Sequence, residues 1–340
     1  MEIFNLISDT ITKPSAEMLA EMMKAEVGDD VFRQDPTVNE LEKKVAVMFD
    51  KDAALFCPSG TMTNQIAIKT HTQPLDEMIC EKTSHVYQYE TGGYSFNSGV
   101  AVNLIDGENG KITADQIKGS IKAQYDWLPN SKLVVLENSC NKGGGSYYTT
   151  QEIQPISDIC KSSKLSLHLD GARLFNVLVE TGETTEQVGA QFDSLSICIS
   201  KGLGAPVGSL LIGDEKFISR ARKFRKVMGG GMRQAGYLAA ACIFALDNSL
   251  PQLKIDNENA SQIAEKLSSI PYINTVKPVK TNILIFSIDD KLDTNEVIAK
   301  FQTSGIIASQ FGPHDIRFVT HNGFSTKSIP ELINRMKAII

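Results

Sequence analysis

A single lysine stands where an apolar run of the sequence ends. The segment SICISKGLGAPVGS (196–209) begins like a buried strand, and Lys201 follows in a turn that contains Gly202, Gly204 and Gly208. A buried ammonium group without a partner is costly, so such a lysine reaches solvent along its stem, forms an ion pair, or bonds covalently to a carbonyl. The glycines leave room for a flat, bulky ligand beside the backbone, which favours the covalent alternative.

Two further segments offer ligand-binding groups at predicted strand ends. Residues 58–61 (PSGT) separate a strand ending at Cys57 from a helix, and backbone N–H groups at a helix start can bind a phosphate. On this turn alone, a simple cap by Ser59 or Thr61 is the more economical interpretation. Asp170 ends the run LSLHLD, where its carboxylate could equally meet a ligand cation or cap the following helix.

Together the three segments match the contacts that one cofactor requires. Pyridoxal 5′-phosphate needs a helix N-terminus for its phosphate, a carboxylate for its ring nitrogen and a lysine for its aldehyde. The interval between Asp170 and Lys201 accommodates one helix and one strand. The pattern therefore predicts this cofactor at the carboxyl ends of the strands of an open α/β sheet.

The elements that must position these residues can be read from the alternation of apolar runs with helical patterns. Strands are predicted at 53–57, at 207–213 and in runs ending at Cys80, Asn138, Asp170 and Ser200. After Pro251, which we expect in a long helix, helices alternate with strands at 282–288 and 316–321. We predict a mainly parallel sheet in a large domain over residues 1–250, with an N-terminal segment, and a smaller α+β domain over residues 251–340.

The bulk composition narrows the class of protein further. The 340 residues carry a net charge of −6 without a basic stripe, which argues against nucleic-acid binding. The densest basic run, RARKFRK (220–226), is expected to be the solvated face of a helix, with an anion contact as the second choice. Six cysteines without a C-x-x-C pair favour reduced thiols. With no leader peptide and no membrane-spanning run, we expect a cytoplasmic protein without nucleic-acid, membrane or metal partners.

Beyond these local patterns, long stretches resemble the L-threonine aldolases, the low-specificity group among enzymes of the aspartate-aminotransferase-like fold type I. The stretches are NLISDTITKP, AEVGDDVF, DPTVNELE, AALFCPSGTMTNQIA, LHLDGARLFN, SKGLGAPVGSLL and GGGMRQAG. The resemblance covers most of the chain and is tightest up to about Gly236. It implies cleavage of L-threonine or L-allo-threonine to glycine and acetaldehyde with pyridoxal phosphate, in a homotetramer built as a dimer of dimers.

The same resemblance implies which residues contact the cofactor. Lys201 would bond to its aldehyde and Asp170 to its ring nitrogen. The residues expected at its phosphate are Gly60, Thr61, Ser200 and, across a subunit boundary, Arg233. His85, in TSHVYQYE, would stack on the ring and is the leading candidate for the catalytic base, directly or through a water. By itself, however, a lone histidine is more often a hydrogen-bonded core residue.

The substrate carboxylate would be bound by Ser8, Arg173 and Arg317. Planar guanidinium groups suit a carboxylate because they donate two parallel, charge-assisted hydrogen bonds. Each residue also has a simpler structural interpretation: Ser8 as a turn residue, Arg173 as a surface charge of a helix, and Arg317 as the partner of an acid in the small domain.

Two segments depart from the pattern of the family. Cys140, in ENSCN, stands where many members have a histidine thought to contact the substrate hydroxyl, so the preference between threonine and allo-threonine is left open. Phe32 and Arg33, in DDVFRQDP, stand where relatives often have tyrosine and glycine. Neither change touches the predicted cofactor contacts, and both could shift the range of substrates.

Three other functions are compatible with parts of the pattern. Another lyase of the same fold could carry out β-elimination or cleave a bulkier β-hydroxy amino acid such as phenylserine. A protein that binds pyridoxal phosphate without turnover is disfavoured, because binding alone requires neither a base nor a carboxylate clamp. A nicotinamide-dependent dehydrogenase is disfavoured because the turn after the first predicted strand lacks G-x-G-x-x-G.

Overall fold

The computed structural model describes residues 2–339. The strands are β1 (Phe4–Asn5), β2 (Ala53–Cys57), β3 (Asp76–Glu81), β4 (Ala101–Ile105), β5 (Asn130–Glu137), β6 (Ser166–Gly171), β7 (Ser194–Cys198), β8 (Ser209–Gly213), β9 (Ile273–Val276), β10 (Ile283–Ile288), β11 (Ile306–Ile307), β12 (Ser309–Gln310) and β13 (Asp315–Val319). The helices are α1 (Ala16–Lys24), α2 (Pro36–Met48), α3 (Gly60–His71), α4 (His85–Gln88), α5 (Gly93–Ser98), α6 (Ala114–Ser120), α7 (Thr150–Ser163), α8 (Leu174–Thr181), α9 (Thr185–Gly189), α10 (Glu215–Val227), α11 (Gly236–Asn248), α12 (Leu250–Leu267), α13 (Thr294–Thr303) and α14 (Ile329–Lys337).

The residues predicted to contact the cofactor lie at one end of the strands of the larger sheet. Over the described residues its order is β2-β8-β7-β6-β5-β3-β4, and the pairs from β7 to β4 are parallel. β8 is antiparallel to both of its neighbours, so β2 runs in the same direction as β7. The segments that follow β2, β3, β5, β6 and β7 therefore meet at one end of the sheet.

The strands of this sheet are buried because helices cover both faces. All residues of β3, β7 and β8 are buried, as expected for the inner strands of an α/β sheet. β4 was not predicted from the sequence because it is an edge strand in which only Ile105 is buried, so it shows no apolar run. The predicted mainly parallel architecture is otherwise confirmed.

The C-terminal part forms a second, smaller sheet. Its described strands have the antiparallel order β12-β13-β10-β9, and its core includes Phe286, Phe301 and Phe318. The N-terminal strand β1 pairs in parallel with β11 of this part. Helix α12 contributes Leu253 to the core of the large sheet and Ile263 to that of the small one. The division at residue 250 stays a prediction.

The basic run RARKFRK (220–226) on α10 is not simply the solvated helix face that was predicted from the sequence. Arg225 is 2% exposed, pairs with Asp30 at 2.7 Å and donates to the carbonyl oxygen of Phe56, while Arg222 pairs with Glu42. These side chains turn inward because α10 packs on β2 and α3, and their guanidinium groups reach acids there.

The six cysteines are buried and unpaired, as predicted. None of the helices between residues 2 and 339 combines the length and apolar character that a bilayer crossing requires.

Candidate active site

The turn between β2 and α3 presents the N-terminus of a 12-residue helix. Ser59 is the N-cap, and its Oγ accepts a hydrogen bond of 3.2 Å from the backbone nitrogen of Met62. The first N–H groups of a helix, here those of Gly60 and Thr61, have no acceptor within the helix. A Cβ at position 60 would collide with Sγ of Cys198. The turn thus contains the predicted cap and also leaves two backbone donors for an anion.

Asp170 lies at the end of β6 with a carboxylate oxygen that lacks a partner. The residue is 2% exposed, and Oδ1 accepts a hydrogen bond of 3.3 Å from the backbone nitrogen of Ala172. Oδ2 is buried and has no hydrogen-bond donor among the described residues. Buried carboxylate oxygens are rarely left unpaired, so this atom fits a protonated ring nitrogen of a ligand.

Lys201 and Ser200 follow the end of β7, and both are half-buried. The carbonyl oxygen of Lys201 accepts hydrogen bonds from Thr12 Oγ1 at 2.7 Å and from the backbone nitrogen of Gly204 at 2.8 Å. Gly204 has a φ of +87°, a conformation that favours glycine. These contacts hold the turn in which the lysine stands.

The charge of Lys201 acts on a buried acid that sequence reasoning missed. Burial raises the pKa of Asp9, but the charge and hydrogen bonds of Arg173 and the charge of Lys201 lower it to about 2. Asp9 is fully buried and also accepts a hydrogen bond of 3.1 Å from Asn282. The signal was its position directly after Ser8 in the segment NLISDTITKP.

His85 begins the short helix α4, close to Asp170. One side-chain atom each of His85, Glu90 and Asp170 lie within 4.8 Å of one another. Nδ1 of His85 is 3.1 Å from a carboxylate oxygen of Glu90, and its backbone nitrogen donates to Glu137 at 3.1 Å. Burial lowers the pKa of His85, but the hydrogen bond to Glu90 and the charges of Asp170, Glu90 and Glu137 raise it overall. The predicted absence of a metal stays a prediction.

Glu90, whose side chain is fully buried, was not singled out from the sequence. Its carboxylate accepts hydrogen bonds from Asn64 at 2.9 Å and from Gln65 at 2.5 Å, besides that of His85. Because a carboxylate is an acceptor only, Nδ1 of His85 carries the proton, and Nε2 is left as the basic nitrogen.

From Glu90, a chain of hydrogen bonds runs between helix α3 and strands β6 and β7. Oδ1 of Asn64 lies 3.2 Å from Nε2 of His168, whose Nδ1 lies 2.8 Å from Ser194 Oγ. Ser194 in turn lies 2.7 Å from Nε2 of His71. Burial lowers the pKa of His168 to about 3 and that of His71 to about 4. Both imidazoles are therefore neutral, and every donor in the chain points toward Glu90.

Arg173 is bound tightly to Asp9. Its Nε and Nη2 donate to the two carboxylate oxygens of Asp9, each at 2.7 Å. This bidentate pair is buried, and Nη1 of Arg173 takes no part in it. The alternative of a surface charge is wrong for this residue, which is 8% exposed.

Arg317, on β13, is held only by neutral groups. Nη1 donates to Oδ1 of Asn141 at 2.8 Å and Nη2 to the carbonyl oxygen of Ile7 at 3.1 Å. Nε is buried without an acceptor among the described residues. Burial and the charge of Arg173 lower the pKa of Arg317 to about 10. The two arginines thus lie close together, and the alternative interpretation of Arg317, a pair with an acid of the small domain, is wrong for the described residues.

Two predicted residues have contacts that leave their roles as predictions. Ser8 caps a short 3₁₀ turn, where Oγ accepts hydrogen bonds from the nitrogen and Oγ1 of Thr10. Its own hydroxyl proton remains for an acceptor. Arg233 pairs with Asp29 at 2.9 Å, and its side chain is 56% exposed. Within residues 2–339 it contacts this acid rather than the turn at Gly60.

The residues that depart from the family pattern have different surroundings. Sγ of Cys140 contacts the carbonyl oxygens of Glu137 and Gly110 at 3.1 and 3.3 Å, and burial raises its pKa well above the usual range. This thiol is therefore no substitute for a basic histidine. Phe32 is 68% exposed, and Arg33 adopts a φ of 59°, a conformation that glycine occupies without strain.

Taken together, the strand-end groups fit pyridoxal phosphate. A helix N-terminus, a buried carboxylate oxygen without a donor, a lysine and an imidazole converge where the carboxyl ends of parallel strands meet. Fold and site together define a pyridoxal-phosphate-dependent enzyme of fold type I.

Comparison with known proteins gives the family. The profile of the β-eliminating lyases matches residues 5–291. Low-specificity L-threonine aldolase 1 of Arabidopsis thaliana is 36% identical over 336 residues, covering 97% of this chain and 94% of the relative. The low specificity L-threonine aldolase of Escherichia coli K12 is 35% identical and covers 99% of both chains. A solved structure of Leishmania major threonine aldolase superposes with a TM-score of 0.85 at 22% identity, over 98% of both chains.

The chain belongs to the β-eliminating lyase family. The resemblance drawn from the sequence is confirmed, as are the predicted fold class, the lyase class and pyridoxal phosphate as the cofactor.

Proposed function

We propose that the chain cleaves L-threonine and L-allo-threonine to glycine and acetaldehyde by a retro-aldol reaction. The observation that carries this proposal is the position of His85 beside Asp170 at the strand ends. Glu90 binds Nδ1 of His85, so Nε2 is left to act as a base. The near-complete alignment with relatives named L-threonine aldolase supports it.

The cofactor contacts in this proposal follow the sequence analysis. Lys201 would bond to the aldehyde, the unpaired Oδ2 of Asp170 would accept from the ring nitrogen, and His85 would lie against the ring. The backbone N–H groups of Gly60 and Thr61, with the hydroxyl of Ser200, would bind the phosphate. When bound, pyridoxal phosphate supplies the electron-withdrawing ring that accepts the electron pair of the broken Cα–Cβ bond.

The substrate is oriented by its carboxylate. Arg317 offers a guanidinium group without a charged partner, Arg173 offers its Nη1 edge, and Ser8 offers a hydroxyl proton. Two charge-assisted contacts at the carboxylate restrict rotation about the bond between Cα and the amino nitrogen of the substrate. This restriction holds the Cα–Cβ bond in one direction. The role of the two arginines is thus to select which bond at Cα is broken.

His85 moves the proton that the cleavage releases. Nε2 accepts the proton of the β-hydroxyl as acetaldehyde forms, directly or through one water, and Glu90 stabilises the resulting imidazolium through Nδ1. A positioned base of this kind contributes about 10²- to 10⁴-fold in rate. The carboxylate neighbours of His85 raise its pKa, so this base becomes protonated at a higher pH than an ordinary histidine does. As the pH is lowered, activity should therefore begin to decline above the usual titration range of histidine.

The test is product release from L-threonine, L-allo-threonine, L-phenylserine and L-serine, after an absorption spectrum of the purified protein. Acetaldehyde and glycine in equal amounts from both threonines are expected. Ammonia and a keto acid as the only products would contradict the aldolase and favour β-elimination. Benzaldehyde from phenylserine, with threonine inert, would favour an aldolase for bulkier substrates.

Variants assign the cofactor contacts in the same assay. Lys201→Ala should prevent covalent trapping of the cofactor by borohydride, whereas Lys216→Ala, at the exposed N-terminal end of helix α10, should not. His85→Asn should reduce turnover about 10²-fold or more with little change in cofactor affinity. An unchanged pH–rate profile in His85→Asn would remove this residue from the role of base.

We propose in addition a homotetramer in which Arg233 reaches the cofactor phosphate of a neighbouring copy. Its exposed side chain and the exposed apolar residues Phe32 and Val227 support this. Light scattering of the purified protein tests it, because a monomeric, fully active protein would contradict it. The six reduced cysteines support a cytoplasmic location, which cell fractionation tests.

A further inference from the structure

An aromatic ring lies against Arg317 and a lysine lies against that ring, and the reaction proposed above gives neither a role. Phe311 lies in the turn between β12 and β13, and the centroid of its ring is 4.5 Å from Cζ of Arg317. Nζ of Lys142 lies 3.9 Å from the same centroid and donates a hydrogen bond of 2.8 Å to the carbonyl oxygen of Phe311. We call Lys142 and Phe311 the Arg317 bracket.

Arg317 needs such a support because its other contacts are weak. Its two hydrogen-bond acceptors, Oδ1 of Asn141 and the carbonyl oxygen of Ile7, are neutral, and its buried Nε has no acceptor among the described residues. Neutral acceptors hold a guanidinium group less firmly than a carboxylate does. A ring over the guanidinium group attracts the cation and also defines the plane in which its donors lie.

Lys142 holds the ring in its place. It belongs to the segment between β5 and α7, whereas Phe311 belongs to the smaller sheet. The hydrogen bond to the carbonyl oxygen and the position of Nζ over the ring join these two parts of the chain beside Arg317. The turn itself is closed by a hydrogen bond of 2.8 Å from the nitrogen of Phe311 to the carbonyl oxygen of Asp315.

The bracket also borders the side of the site where the base lies. Nζ of Lys142 is 6.0 Å from the ring centroid of Tyr89, and that ring is 5.6 Å from the ring of His85. A change in the bracket is therefore expected to be felt where the substrate binds.

We propose that Phe311 and Lys142 are positioning residues that hold the guanidinium plane of Arg317 in the orientation that binds the substrate carboxylate. This inference rests on the proposed role of Arg317. It predicts that the bracket affects the binding of any α-amino acid, whether or not it carries a β-hydroxyl group.

The experiment measures the dissociation constant of glycine for the holoenzyme, from the absorption change of the bound cofactor, which does not depend on turnover. The variants are Phe311→Leu and Lys142→Met, with Phe311→Tyr and Lys142→Arg as conservative replacements. Lys111→Met is the matched control, because Nζ of Lys111 lies 5.5 Å from the ring of Tyr148 in a cation–π pair that does not contact Arg317.

We expect the dissociation constant of glycine to rise about three- to tenfold in Phe311→Leu and about two- to threefold in Lys142→Met. The conservative variants should stay within about twofold of the wild type, and Lys111→Met should not change it. KM for L-threonine should follow the dissociation constant, while kcat stays within about twofold, because positioning of a binding group affects binding rather than the chemical step.

Wild-type glycine binding in both Phe311→Leu and Lys142→Met would overturn the inference. So would a folded Phe311→Tyr that binds glycine as weakly as Phe311→Leu. If circular dichroism shows that Phe311→Leu does not fold, the pair Lys142→Met and Lys142→Arg decides alone. Arg317→Met, measured alongside, distinguishes a failure of the proposed carboxylate site from a failure of the bracket. Wild-type glycine binding by Arg317→Met would refute the carboxylate site. Weak binding by Arg317→Met, together with wild-type binding by the Phe311 and Lys142 variants, would refute only the bracket.

Discussion

Two arginines of the candidate active site are held in different ways. Arg173 forms a bidentate, buried ion pair with Asp9, and the charge and hydrogen bonds of Asp9 outweigh burial and raise the pKa of Arg173. Arg317 has neutral acceptors, an aromatic ring and a pKa lowered to about 10 by burial and by Arg173. The first arginine is already compensated in the free protein. The second gains a charged partner when a carboxylate binds.

The difference separates stability from binding. An arginine with its own carboxylate braces the fold and offers a substrate only its remaining edge. An arginine without one costs stability in the free protein and yields more on binding, because the substrate supplies the missing charge. Four experiments test this difference between the two arginines.

The first prediction concerns the ion pair between Asp9 and Arg173 and has the greatest magnitude. Asp9→Asn leaves Arg173 buried without a counter-ion, so the free energy of unfolding should fall by about 3–5 kcal/mol, measured by urea denaturation. Asp29→Asn, which breaks the exposed pair with Arg233, is the control and should cost less than about 0.5 kcal/mol. Equal losses in the two variants would show that Asp9 does not brace Arg173.

The second effect is on the binding side. Arg317→Met should raise KM for L-threonine about 30- to 100-fold, the loss of about 2–3 kcal/mol of charge-assisted hydrogen bonding, in steady-state kinetics. Its free energy of unfolding should change by less than about 1 kcal/mol, because no carboxylate loses a partner. A loss of stability as large as that of Asp9→Asn would erase the distinction between the two arginines.

A third effect concerns Asp256, a second acid beside Asp9. Burial, with a smaller contribution from the charge of Asp9, raises the pKa of Asp256 to about 7, despite a hydrogen bond from Gln252. The folded protein therefore holds this proton between pH 4 and 7 while the unfolded chain has released it, and the contribution of Asp256 to stability falls as the pH rises through that window.

Asp256→Asn should remove this dependence. The stability of the variant relative to the wild type should increase by about 1–3 kcal/mol from pH 4 to pH 7, measured by denaturation at each pH. The comparison must be a difference between the two proteins, because Glu137, with a pKa raised to about 7, titrates in the same window. A difference that is constant with pH would contradict the prediction.

The smallest effect is at Ser8. Ser8→Ala removes the cap of the 3₁₀ turn and should lower the free energy of unfolding by about 0.5–1 kcal/mol. If its hydroxyl also donates to the substrate carboxylate, KM for L-threonine should rise about fivefold. Ser8→Thr keeps the hydroxyl and serves as the control. An unchanged KM in Ser8→Ala would leave this residue with the cap alone.

The sequence also predicted much of the secondary structure. The strands at 53–57 and 207–213 and the runs ending at Cys80 and Asp170 match β2, β8, β3 and β6 within a few residues, because buried strands of an α/β sheet are continuous apolar runs. The antiparallel direction of β8 was not predicted. It could have been, because the link from β7 is too short for a crossover helix.

Patterns in the sequence were enough to predict which groups stand at the strand ends: a helix start at Gly60, a carboxylate at Asp170 and a lysine at Lys201. Local patterns suffice for this, because an apolar run defines where a strand stops and which residue follows it. The contacts of each group, in contrast, became known only from the folded chain. Asp9 and Arg173 are separated by 164 positions, and Arg317 and Asn141 by 176. Contacts between residues so far apart arise from the packing of whole elements, which leaves no local trace in the chain.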